Sequence, residues 1–141
     1  MRVCGIEIKG DDAIICIMSL ENSMYDIPHA RVPKIALSKG VESDHIRKFQ
    51  FTIKKFIEDY KIDAIAIKER MTKGKFAGGS QSFKIEAALQ LIEDVRVDLI
   101  RPSDIKDCLH RTQITIDFRD TGLKQFQEGA FQTAFTFLNR L

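Results

Sequence analysis

Three glutamates of this chain stand where a carboxylate could do chemistry. Glu7 lies inside an apolar run, RVCGIEI, that otherwise reads as a buried strand. Glu69 directly follows a second apolar run, DAIAIK, and is itself followed by RMTKGKFAGG, a loop rich in Lys, Arg and Gly. Glu128 falls in KQFQEGAFQTAF, followed by Gly129, an unusual choice inside a helix because Gly costs roughly 1 kcal/mol there relative to Ala. A carboxylate buried without a partner is costly, so each acid asks for a cation, a hydrogen-bond donor or a metal ion. Strand alternation puts Val3, Gly5 and Glu7 on one side of the first run and Cys4, Ile6 and Ile8 on the other. Gly5 beside Glu7 leaves room for another element to approach. Gly129 would likewise permit close packing on a sheet, bringing Glu128 near the strand ends. The plainer alternative makes Glu7 an edge-strand residue, Glu69 a strand terminus and Glu128 part of a solvated face. Spacing alone does not unite the three.

The loop after Glu69 carries a second kind of chemistry. Lys73, Lys75 and the backbone amides of Gly78 and Gly79 suit a phosphate backbone, as do the free amides at the start of a helix from Ser80. Phe76 between them suits stacking on an unpaired base. Lys68, Arg70, Lys84, Arg101 and Lys106 extend the same basic set. The competing reading is an ordinary solvated loop. His29, His45 and His110 have no paired metal-ligand spacing, and GSQS at Gly79–Ser82 lacks the Gly-Lys-Ser/Thr ending of a phosphate-binding P-loop.

The elements that must position these residues follow from periodicity. Arg2–Ile8 and Ala13–Ser19 form a hairpin signal around KGDD, where Gly10 supplies a positive φ. Leu20–Pro33 reads as a loop, with a third strand within Arg31–Leu37. Glu42–Tyr60 places Ile46, Phe49, Ile53, Phe56, Ile57 and Tyr60 at helical spacing. Asp63–Lys68 is an interior strand. Ser80–Asp94 is a helix with Phe83, Ala87, Leu91 and Ile92 on its apolar face, and Val97–Ile100 is a strand. A short helix capped by Ser103 runs to Leu109. Gly122–Leu141 is a final helix with an apolar stripe of Leu123, Phe126, Ala130, Phe131, Ala134, Phe135 and Leu138. The expected fold is α/β, a mixed five-stranded sheet in the order βββαβαβα with helices on its faces.

Length and composition bound the function. The 141 residues suit one domain spanning 1–141. A formal net charge of +2 means that nucleic-acid binding would rest on a local patch. Three cysteines without a CxxC pair argue against a disulfide framework and a cysteine zinc site, and Cys4 and Cys16 read as buried thiols. No apolar run approaches the roughly 18 residues of a membrane span. The expectation is a reduced, cytoplasmic, soluble protein with no membrane partner.

The order of elements resembles the ribonuclease H-like fold, and the segments are most similar to its RuvC-type Holliday junction resolvases. VCGIEIKG stands in place of that family's first strand, DAIAIKERM with KGKFAGGSQSFKIEAA in place of its second acidic strand, basic loop and helix, DLIRPSDIKDCL in place of its last strand, and EGAFQTAFTFL in place of its final helix. The resemblance implies a divalent-metal-dependent nuclease acting on structured DNA or RNA. Glu7, Glu69 and Glu128 would hold two Mg²⁺ or Mn²⁺ ions and serve as the catalytic acids. The sequence departs from the pattern in three places. Its first acid is Glu rather than Asp, and Gln125 rather than an acid precedes Glu128 by three residues. Anchored on the shared Ala-Ile, Lys68 rather than Glu69 stands where the family has its second acid, and one step reverses the side of a strand. A catalytically inactive nucleic-acid-binding or regulatory module is the alternative, or a protein-interaction domain, as a homodimer through a helix face. RKFQF, KERMTKGKFAGG and GLKQFQE also resemble a small bacterial family of unknown function, which supplies no activity.

Overall fold

The computed structural model describes residues 1–38, 42–72, 79–112 and 116–140. Strands β1 (Arg2–Lys9) and β2 (Asp12–Glu21) form the expected antiparallel hairpin, with Gly10 at φ +59° in its turn. Strands β3 (Met24–Asp26) and β4 (Lys34–Ala36) precede helix α1 (Ser43–Tyr60). Strand β5 (Ala64–Lys68), helix α2 (Ser80–Gln90), strand β6 (Arg96–Ile100), helix α3 (Pro102–Arg111) and helix α4 (Glu128–Arg140) complete the described chain. The sheet runs β3-β2-β1-β5-β6, with β4 also on β2. The β1–β5 and β5–β6 pairs are parallel.

Both faces of the central strands are covered, which explains why Val3 to Ile8 are all buried. On one face Cys4, Ile6, Ile8, Ile65 and Ile67 pack with Phe49, Ile53 and Phe56 of α1 and with Ile85, Ala88 and Leu89 of α2. On the other, Val3, Ala64 and Ala66 pack with Ala130, Phe131, Ala134 and Phe135 of α4 and with Ile105 and Cys108 of α3. The alternation expected for β1 therefore holds, with its Gly5 and Glu7 side turned to α4.

Four expectations are corrected. Leu20–Pro33 is not all loop, because Asn22 (φ 51°) and Ser23 (φ 66°) make a two-residue turn that pairs Glu21 with Met24 and adds the short β3 to the mixed sheet. The buried side of α2 is Ser82, Ile85, Ala88 and Leu89 rather than Phe83, Ala87 and Leu91. The helix ends at Gln90, and Leu91, 71% exposed, lies beyond it. Helix α3 begins on Pro102, whose fixed φ and missing N–H suit a first helical position, so Ser103 is not its cap. The final helix starts at Glu128 rather than Gly122, since Gly122 adopts φ +79° and a single turn over Gln125–Gln127 intervenes. Buried Gln127 fixes that turn, donating to the Ile15 carbonyl (2.8 Å) and accepting from the Lys124 amide (2.9 Å).

The thiols of Cys4 and Cys16 are buried as expected. Burial pushes Cys16 up to about 12 and raises Cys4 further still. In the unfolded chain both would ionise near the ordinary value of 9.0, whereas in the folded chain they stay neutral. Their contribution to stability is thus complete below pH 9 and is lost as pH rises from there toward the folded values. Urea denaturation is expected to show a decline on the order of 1 kcal/mol per pH unit for each thiol above that point. The decline should flatten in a Cys4→Ala/Cys16→Ala variant, and an unchanged slope there would contradict the assignment.

Candidate functional site

Glu7 occupies a seat made by two glycines on opposing elements. A Cβ on Gly5 would collide with the Ala130 carbonyl and stand 2.8 Å from the Ala134 methyl, so α4 lies closer to β1 than any side chain at position 5 would permit. One step along, a Cβ on Gly129 would overlap the Glu7 carboxylate, with Oε2 only 2.6 Å away. The carboxylate therefore rests on the first turn of α4, where the positive end of the helix dipole favours an anion. Gly129 exchanges helix propensity for this contact.

The buried charge is compensated by two ammonium groups. Lys68 Nζ donates to Glu7 Oε2 at 3.3 Å, and Lys9 Nζ stands 3.7 Å from Oε1. Lys68 is there because of register. Parallel pairing sets Ile6 beside Ile67, so the next step of both strands puts Lys68 beside Glu7 on the same face. The Glu69 amide continues the ladder, donating to the Ile100 carbonyl at 2.9 Å, and alternation turns Glu69 to the other face. Arg70 closes the region from behind. Its amide donates to Glu86 of α2 (3.0 Å) and its guanidinium to the Ile8 carbonyl (2.7 Å).

The sequence-derived residues are thus distributed unevenly. Glu7 and Lys68 are brought together, and Glu128, half-buried, opens α4 next to the Gly129 seat. Glu69 comes one residue past β5, where the continued ladder and alternation set it on the opposite side. Among the described residues no three His, Cys, Asp or Glu side chains form a group that could hold a metal ion. With ammonium groups against both Glu7 oxygens, the donor set does not fit a carboxylate-held Mg²⁺ or Mn²⁺ pair, which needs several anionic oxygens around each ion.

Of the basic set, Arg70 is committed to internal hydrogen bonds. Gly79 precedes α2, and among the described residues no atom lies within 4 Å of where its Cβ would be and no side chain caps that helix. Lys84 on α2 and Lys106 on α3 belong to helices covering opposite faces of the sheet, so they do not form one patch. Lys73, Lys75, Phe76 and Gly78 lie outside the described residues. Two residues carry more than the sequence suggested. Lys9, read as part of a turn, is a partner of Glu7, and Glu86, not singled out from the sequence, anchors the segment after β5. The alternation of IEIK, which returns Lys9 to the side of Glu7, was the available signal for the first.

Together these positions give a row of cations along the carboxyl-terminal edge of three adjacent parallel strands. Lys9 ends β1 and Lys68 ends β5 on the Glu7 face, while Arg101, one step past the Ile100 that pairs with Lys68, alternates to the Glu69 side and stands 3.9 Å from Asp104; the three side chains are 59%, 34% and 73% exposed. That edge is where open α/β sheets bind ligands.

The profile described as "Protein of unknown function (DUF3010)" matches residues 1–137. No curated protein matches the chain in sequence. Among solved structures, Thermus thermophilus RuvC superposes with a TM-score of 0.73 at 15% identity, covering 99% of this chain and 96% of that one. T. thermophilus RuvC in complex with a Holliday junction substrate gives 0.72 at 12% identity over 96% and 92%. The fowlpox virus resolvase in complex with Holliday junction DNA gives 0.56 at 11% identity over 99% and 98%. The chain has the ribonuclease H-like fold of the RuvC-type resolvases.

Removing the Lys68 ammonium leaves a buried carboxylate compensated only by the more exposed Lys9. Lys68→Met is expected to lower stability by about 1–3 kcal/mol in urea denaturation. The double variant Glu7→Gln/Lys68→Met should recover part of that loss. A Lys68→Met protein as stable as the wild type would show that the pair does not hold the seat.

Proposed function

We propose, from the premise that the chain belongs to the DUF3010 family, that it binds structured nucleic acid through the carboxyl-terminal edge of its sheet without a carboxylate-held metal centre. The observation that carries this reading is the set Lys9, Lys68 and Arg101 at the ends of β1, β5 and β6, on both sides of one sheet edge. Neighbouring strands lie about 4.8 Å apart, so three consecutive strand ends span roughly 10 Å, enough to meet more than one phosphate. Because the net charge is only +2, the attraction must be local to such an edge. The likeness to resolvases seen with Holliday junction DNA supports a branched substrate.

Metal-dependent cleavage by Glu7, Glu69 and Glu128 is the second reading. The shared fold and the placement of Glu7 on the first strand support it, and the ammonium groups at Glu7 stand against it. For self-association, Phe51 and Leu91 offer exposed apolar surface near the α1 and α2 helices, at 63% and 71% exposure.

Fluorescence anisotropy with a labelled four-way DNA junction, at several salt concentrations, tests the first reading against a matched duplex. Tighter binding to the junction is expected, with log K falling linearly against log salt. A Lys9→Gln/Arg101→Gln variant should bind about tenfold or more weakly and lose about two units of that slope. Equal affinity and slope in the variant would overturn the site. Strand cleavage that requires Mg²⁺ or Mn²⁺ and disappears in Glu7→Gln would establish the nuclease instead.

A further inference from the structure

The charge balance at Glu7 permits a step beyond nucleic-acid binding. A single buried carboxylate carries one negative charge, which one ammonium balances. A divalent ion in the same place would need further acids, and Glu69 is turned away by one residue of strand alternation. Of the two cations, Lys9 is the outer one, with a side chain 59% exposed. Lys68 is the inner one, 34% exposed, and it makes the direct hydrogen bond. Its side chain leaves the last residue of β5, next to the strand that carries Glu7, so the ammonium is delivered to the carboxylate by the backbone ladder itself.

We propose that Lys68 is a tethered cation that takes the place of a divalent ion at Glu7, and that the site opens to Mg²⁺ and Mn²⁺ only when this ammonium is removed. Exchange of Lys68 for an acid would set two carboxylates on one face of adjacent parallel strands, beside the first turn of α4. Hard oxygen donors so placed suit Mn²⁺. Exchange for a neutral residue would leave Glu7, beside the further acid Glu128 at the start of α4, with only the solvated Lys9, which a metal ion can outcompete. The inference does not depend on the nucleic-acid reading, and its test contains no nucleic acid.

Thermal denaturation of the full chain with and without ~5 mM Mn²⁺ reads the difference, because an ion that binds only the folded state raises its melting temperature. The wild-type midpoint is expected to stay unmoved by Mn²⁺. Lys68→Gln and Lys68→Glu should each gain about 3–5 °C. The gain should vanish when Glu7→Gln is added to either. Two results would overturn the proposal. One is a wild-type gain that disappears in Glu7→Gln, meaning that the ammonium yields to the ion. The other is a folded Lys68→Gln protein with no gain. Should Lys68→Glu fail to fold, Lys68→Gln carries the test, and the wild type with Glu7→Gln stands beside it as an independent pair.

Discussion

The contact of the Glu7 carboxylate with the backbone of Gly129 sets the geometry of the rest. It exists only because Gly5 and Gly129 remove the two methyl groups that would hold α4 away from β1. The close approach brings the positive end of a helix over a carboxylate that is 8% exposed. A charge at that depth must be answered locally, and the parallel register of β1 and β5 answers it with Lys68. Packing, register and electrostatics therefore meet at one residue. A disturbance of any of the three is felt at the carboxyl-terminal edge where ligands are expected.

The same fold can hold different chemistry because its site lies at strand ends, where a one-residue difference changes the side chain presented without changing the ladder. In β5 the ladder continues unbroken through the Glu69 amide, so the sheet is indifferent to whether Lys or Glu occupies position 68. The site is not indifferent. Lysine there supplies a cation with its own covalent tether, and the edge becomes a basic surface rather than an acidic pocket.

Much of this was legible from residue order. The burial of β1 on both faces, the facing of Glu7 with Gly5, and the close packing implied by Gly129 all follow from alternation and helix propensity. The β3 hairpin was not legible, because Asn-Ser is a weak relative of the Asn-Gly turn signal and its strands are three residues long on one side. The buried face of α2 was misjudged because apolar residues lie on more than one side of that helix, and packing against the sheet and α1 selects Ile85 and Leu89. The role of Lys68 was half visible. Its displacement of the expected acid could be read from the sequence, but its bond to Glu7 required the register of two strands about sixty residues apart, which separation 61 in the chain conceals.

The most direct measurement is an anomalous difference map from crystals of the wild-type protein grown with Mn²⁺. The expected result is Lys68 Nζ against Glu7 with no manganese peak at coordination distance, about 2.2 Å, from either carboxylate oxygen. A peak bridging Glu7 and Glu128, with the Lys68 side chain displaced, would contradict the central claim and restore the metal-dependent nuclease.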